Sequence, residues 1–140
     1  MPTDLLRVLL VDDNETFLEA LTRFLQENHG GQFVVVGTAR DSAEALAQAT
    51  ALQPQVILLD FDQPEGQRSA LIRDLRSVLP QVGIVAMTLQ DPAIYDFCRQ
   101  VVLADGADAL ILKSVLIEEL LPCIQRVAQA RQTPGDVPAT

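Results

Sequence analysis

The segment Val56-Ile57-Leu58-Leu59-Asp60 constrains this chain more than any other. Four apolar residues run without alternation into an aspartate, and Pro64 follows four residues later. An apolar run of this kind reads as a strand covered on both faces, and such strands belong to parallel sheets flanked by helices. Proline cannot continue a hydrogen-bonded ladder, so the strand ends at or before Pro64. Asp60 is thereby predicted at the carboxyl end of a central strand. That edge of an open parallel sheet is where ligands bind. An aspartate at a strand end is on its own most often a turn former. Its meaning depends on what the other strands bring to the same edge.

The rest of the chain supplies four more strands. Leu5 to Val11 is apolar apart from Arg7 and ends at Asp12-Asp13. Phe17, Leu18, Leu21, Phe24 and Leu25 then recur at helical spacing, and the helix stops by His29-Gly30-Gly31. Phe33 to Val36 is a second strand, ending at Gly37. Asp41 with Glu44 has capping-box spacing ahead of a helix that turns Ala45, Leu46, Ala49 and Leu52 to one side and closes at Pro54. The strand Gln55–Asp60 and the turn Pro64-Glu65-Gly66 lead to a stripe of Leu71, Ile72, Leu75, Val78 and Leu79, stopped by Pro80. Val82 to Met87 is a fourth strand, ending at Thr88. Asp91-Pro92 caps a helix with Ile94, Phe97, Cys98 and Val101 inward, and Gly106 closes it. Ala109 to Leu112 is the fifth strand, ending at Lys113. Ser114 caps a last helix with Ile117, Leu120, Ile124 and Val127 inward, which Pro122 should bend. Thr133 to Thr140, with Pro134, Gly135 and Pro138, reads as a frayed tail or the start of a linker, so residues 1–132 form the domain.

Five strands alternating with five helices through short connections predict an α/β fold in three layers, a parallel sheet with right-handed crossovers and helices on both faces. The 140 residues fit one domain with one sizeable core. A net charge of −9 argues against a nucleic-acid surface in this domain, because the basic footprint is missing. Cys98 and Cys123 both fall in helical patterns and read as buried thiols of a cytoplasmic protein. Pro2-Thr3-Asp4 does not resemble a signal peptide, and no apolar run approaches the ~18 residues of a membrane span.

Four of the five strands end in a reactive polar residue: Asp12-Asp13, Asp60, Thr88 and Lys113. In a parallel sheet these converge on one edge. Three neighbouring carboxylates repel, and a hard divalent cation with oxygen ligands compensates them. Thr88 adds a hydroxyl donor and Lys113 a fixed positive charge. Together they suit phosphoryl transfer onto Asp60 as nucleophile. Each residue alone is an ordinary cap or turn residue; the joint pattern is specific. The single histidine, His29, reads as a solvated helix C-terminal cap, and Glu118-Glu119 as solvated first-turn charges favoured by the helix dipole.

Val8-Leu9-Leu10-Val11-Asp12-Asp13, Val56 to Asp60 with Pro64, Ala86-Met87-Thr88, and Gly106-Ala107-Asp108 leading to Lys113 together resemble the response-regulator receiver domains of two-component signalling. The resemblance covers roughly residues 6 to 130. It implies a CheY-like, flavodoxin-like (βα)5 fold with strand order 2-1-3-4-5. It implies Asp60 as phosphoacceptor, Asp12 and Asp13 as holders of Mg²⁺ with the backbone carbonyl of Asp62 as a further ligand, Thr88 bonded to the phosphoryl group and Lys113 paired with it. The implied partner is a sensor histidine kinase or a phosphotransfer protein; a homodimer is compatible with it, and a membrane is not involved. Val35-Val36-Gly37-Thr38-Ala39 looks like the LuxR/NarL-type subgroup that carries a C-terminal helix-turn-helix domain.

The chain departs from the pattern at Gln63, where methionine is usual, at Arg68, where glycine is usual, and at Leu110, where an aromatic ring is common. The first two bear on loop shape and the third on the usual switching device. Asp60-Phe61-Asp62 is also similar to the nucleophile motif of haloacid-dehalogenase-type phosphatases, with Asp62 as general acid/base. There the motif normally ends the first strand, and Pro64 stands where Thr or Val is usual. A third reading is a degenerate receiver that binds partners without being phosphorylated; the intact acidic set ranks it below the first.

Overall fold

The computed structural model describes residues 5–29, 31–62, 67–89 and 91–132. Gln63, the Pro64-Glu65-Gly66 turn and the tail 133–140 lie outside the described residues, as do the side chains of His29 and Arg68. The elements alternate as β1 (Leu6–Val11), α1 (Glu15–His29), β2 (Phe33–Ala39), α2 (Ser42–Leu52), β3 (Val56–Asp60), α3 (Gln67–Val78), β4 (Gly83–Thr88), α4 (Tyr95–Asp105), β5 (Ala109–Leu112) and α5 (Leu116–Gln132). Short 3₁₀ turns at Pro92–Ile94 and Lys113–Val115 lead into α4 and α5. The sheet has five parallel strands in the order β2-β1-β3-β4-β5.

All five residues of β3 are buried, because the strand pairs on both edges and is covered on both faces. Its side chains alternate between two cores. Ile57 and Leu59 join Leu71, Ile72 and Leu75 of α3 and Cys98 and Val102 of α4. Val56 and Leu58 join Leu21 and Leu25 of α1 and Leu120 and Ile124 of α5. A Leu→Ala change at a site such as Leu58 costs about 2–5 kcal/mol. The apolar layers therefore hold β3 in register, Asp60 opposite Met87, and leave its last residue at the carboxyl edge.

Local chemistry sets the connections. Asp41 Oδ1 accepts from the Glu44 amide at 2.8 Å and caps α2, while Glu44 Oε1 accepts from the Arg40 amide. Gly106 adopts φ +118 at the end of α4, a left-handed conformation that side chains with a Cβ rarely take. Arg76 of α3 bonds the Gly106 carbonyl and pairs with Asp108, and Arg131 of α5 pairs with the other oxygen of Asp108, so three elements are tied just before β5.

Several expectations need correction. β2 continues past Gly37 to Ala39, with a register shift between Val8 and Leu9 that skips Val36. Gly37 pairs with Leu9 inside the strand, and glycine suits the position because a Cβ there would meet Leu52 Cδ1 at 2.7 Å. On α4 the inward pair is Cys98 and Val102, whereas Ile94 and Phe97, expected inward, are exposed. Ile117 and Val78 are likewise exposed. Ser114, expected to cap the last helix, lies inside the 3₁₀ turn Lys113–Val115, ahead of α5, which starts at Leu116 and contains Pro122. Cys98 and Cys123 are buried free thiols, as the sequence suggested. Among the described residues no helix is long and apolar enough to cross a membrane.

Candidate functional site

The residues that end β1, β3, β4 and β5 meet at the carboxyl edge of the sheet. Asp12 is fixed by its amide, which donates to the Ala39 carbonyl of β2 at 3.0 Å, and by its Oδ1, which accepts from the Asn14 amide at 2.8 Å. Its Oδ2 lies 3.0 Å from Lys113 Nζ. The same ammonium lies 3.1 Å from Asp60 Oδ1. Carboxylate oxygens of Asp12, Asp13 and Asp60 lie within 4.8 Å of one another, Asp12 and Asp60 buried and Asp13 exposed. Thr88 is fully buried at the end of the neighbouring strand. The sequence-predicted residues are therefore brought together, and all but Asp13 are enclosed or half-enclosed.

The electrostatics follow from that burial. Desolvation pushes the Asp12 carboxyl above its ordinary range, with the Asp60 charge adding to it, against the pull of the Asn14 amide and Lys113. Desolvation alone would lower the Lys113 ammonium, but its bonds and Coulombic attraction to Asp12 and Asp60 outweigh this and raise it. Lys113 stays charged at neutral pH. Its ammonium also lies 4.2 Å from the centroid of the Phe17 ring, whose face favours a cation. Three carboxylates against one ammonium leave an excess of two negative charges. A donor set of carboxylate oxygens with that excess fits a hard divalent cation, Mg²⁺ in particular, which needs only one or two direct carboxylates and completes its shell with water.

The family model for the response regulator receiver domain matches residues 8–125. The chain belongs to the response-regulator receiver family. This receiver domain is 33% identical over 129 residues to the DNA-binding transcriptional activator DevR/DosR of Mycobacterium tuberculosis, covering 91% of this chain and 56% of that protein. It is 30% identical over 146 residues to a protein-glutamate methylesterase/protein-glutamine glutaminase of Bacillus licheniformis, covering 96% of this chain and 40% of that protein. The receiver thus spans little more than half, or less, of these curated relatives. Among solved structures, the signal receiver domain of NarL from Mycobacterium tuberculosis superposes with a TM-score of 0.76 at 30% identity, covering 91% of this chain and 98% of that one. A CheY-like receiver from Methanospirillum hungatei shares the fold, with a TM-score of 0.78 at 23% identity, covering 94% and 99%.

Some residues of the receiver's site make contacts that the sequence did not reveal. The expectation for Asp62 concerned its backbone carbonyl, yet its side chain is engaged: Thr88 Oγ1 donates to Oδ1 at 2.6 Å and the Leu89 amide donates to Oδ2 at 2.6 Å. The Asp62 amide donates to Asp60 Oδ1 at 3.2 Å. A carboxylate two residues past a strand end was the only available signal, and the phosphatase alternative had used it for another purpose. Phe17 was assigned to the inward stripe of α1, and its second role beside Lys113 needs the fold to be seen. Tyr95, the only tyrosine, donates its hydroxyl to the Leu110 carbonyl at 2.6 Å and packs against the core on that face. It ties α4 to β5 at the position where this receiver lacks the usual ring.

Proposed function

We propose that this receiver accepts a phosphoryl group on Asp60 from a histidine kinase or phosphotransfer protein, with Mg²⁺ bound, and relays the change through the β4–α4 surface to an output. The observation that supports it most strongly is Lys113 Nζ standing 3.0 Å from Asp12 and 3.1 Å from Asp60 at one sheet edge. Asp12 and Asp13 would hold the metal, with Asp60 and the carbonyl of Asp62 beside them. Bound Mg²⁺ supplies charge neutralisation on the transferring group.

The chain's own groups carry the rest. A carboxylate oxygen of Asp60 attacks phosphorus; the bond from phosphorus to the donor's nitrogen breaks, and its electron pair stays on that nitrogen. Lys113 offsets negative charge on the acyl phosphate, and the Thr88 hydroxyl donates to a phosphoryl oxygen. The transfer adds about −1.5 to −2 charge and three acceptor oxygens at the end of β3. The output, a cytoplasmic setting and self-association belong to the same reading, as does a DNA-binding partner domain of the kind DevR/DosR is named for. The negative net charge gives this domain itself no nucleic-acid footprint.

Incubation with a small phosphodonor and Mg²⁺ separates a switch from an enzyme. The expected result is uptake of one phosphoryl group per chain, followed by slow release. Steady turnover of a phosphate ester would instead support the phosphatase reading, and no uptake would support the degenerate receiver.

A further inference from the structure

Asp62 presents both carboxylate oxygens to β4 and its continuation. Thr88 Oγ1 donates to one and the Leu89 amide to the other, each at 2.6 Å. Bonds to an ionised acceptor are short and about twice as strong as neutral ones. The Asp62 amide donates to Asp60 Oδ1 at 3.2 Å, so a chain of bonds runs from Asp60 through Asp62 to Thr88 and Leu89. Thr88 is already fully buried in this arrangement.

We propose that the Asp62 carboxylate is an internal stand-in for the phosphoryl group: it holds the Thr88 hydroxyl and the Leu89 amide in the unphosphorylated chain and must be displaced when Asp60 is modified. The inference rests on the reading of Asp60 as acceptor and Thr88 as donor. Thr88 Oγ1 has one proton to give, so a phosphoryl oxygen can take it only if Asp62 releases it. A carboxylate and a phosphoryl group of about −1.5 to −2 charge on the same two donors also repel. Asp62 therefore opposes phosphorylation and sets how far the unmodified receiver is biased against it. What changes on activation is the partner of residues 88 and 89, not the burial of Thr88. A ligand shifts such an equilibrium only through its differential interaction with the two states, and Asp62 lowers that difference.

The test uses the full chain with Asp62→Ala, and Asp62→Asn as a second variant if the first does not fold. Asparagine keeps an acceptor for Thr88 but turns an NH₂ group towards the Leu89 amide, so it should act in the same direction. In unphosphorylated, metal-free protein, amide hydrogen exchange at Leu89 should accelerate about tenfold in either variant, the loss of one charge-assisted bond. With Mg²⁺, beryllofluoride should bind the variants roughly three- to tenfold more tightly than the wild type. Thr88→Val should weaken beryllofluoride more in the Asp62→Ala background than in the wild type, because only there has Asp62 ceased to compete for the hydroxyl proton. Unchanged or weaker beryllofluoride binding in the variants overturns the proposal, as does unchanged exchange at Leu89. If neither wild type nor variant binds beryllofluoride, the acceptor reading falls and the competition with it. That failure is recognised because Leu89 exchange still reports whether the carboxylate is seated there.

Discussion

Lys113 and Asp12 lie 101 residues apart in sequence and meet at 3.0 Å in the fold. Neither side chain is more than about a tenth exposed, at 11% and 2%. Breaking a buried pair by removing one partner leaves an uncompensated charge. Lys113→Met is expected to cost about 3 kcal/mol in metal-free protein. Mg²⁺ should restore part of that, because it neutralises the same carboxylates. Denaturant unfolding with and without Mg²⁺ checks this; wild-type stability for the metal-free variant would contradict it.

The carboxylate trio makes a second expectation. Binding that favours the native state raises stability by mass action, about 1.4 kcal/mol at a concentration tenfold above Kd. Thermal melting of the wild type should therefore rise with millimolar Mg²⁺, and the rise should be lost when Asp12 and Asp13 are both changed to Asn. A melting temperature indifferent to Mg²⁺ up to high millimolar levels would show that the cluster is not a metal site.

Tyr95 can be titrated by its own absorbance, since the chain has one tyrosine and no tryptophan. Burial pushes its phenol above the ordinary range, with Glu119, Cys123 and Asp96 in the same direction and Arg99 against. The ordinary phenol value is about 10. The folded chain thus holds this proton to higher pH than the unfolded one, and the ionised form cannot donate to the Leu110 carbonyl. The stability that Tyr95 contributes is complete below the unfolded pKa and is lost as pH rises through the folded pKa. Absorbance titration should give an elevated midpoint in native protein and an ordinary one in denaturant. In Tyr95→Phe, stability should fall less steeply across that alkaline window.

Activation should travel along β4 into α4. With Mg²⁺ and beryllofluoride, backbone NMR changes are expected from Asp60 through residues 88–105, and they should shrink in Thr88→Ala. Tyr95 lies in that span, so the Tyr95–Leu110 bond is a direct reporter of motion in α4. Changes confined to Asp12, Asp13, Asp60 and their neighbours would mean that the chain binds phosphate without switching in this way.

The parts of this architecture that were legible in sequence share one property: they depend on local pattern. The unbroken run into Asp60 marks a doubly covered strand, and β3 is buried at every residue. Polar residues at four strand ends imply a shared edge once the sheet is parallel, and Asp12, Asp60 and Lys113 do meet there. What was not legible depends on orientation or distant partners. Ile94, Phe97, Cys98 and Val101 fit a helical stripe, but α4 starts only at Tyr95 and is rotated so that Cys98 and Val102 face the sheet, leaving Phe97 68% exposed. Ile117 sits in the first turn of α5, beside rather than on the face that Leu116, Leu120 and Ile124 turn to the core, and is 72% exposed. Asp108 belongs to the Gly106-Ala107-Asp108 stretch that carries the resemblance, but its pairing with Arg76 and Arg131, from two different helices, is visible only in the fold. Asp62 was read for its carbonyl because the resemblance carries that role; the engagement of its side chain with Thr88 exists only in three dimensions.

The central claim is that Asp60 accepts the phosphoryl group, and intact-mass spectrometry after incubation with a small phosphodonor and Mg²⁺ tests it most directly. The account predicts a shift of one phosphoryl group in the wild type and none in Asp60→Asn. A full shift in Asp60→Asn, or no shift in the wild type, would contradict it.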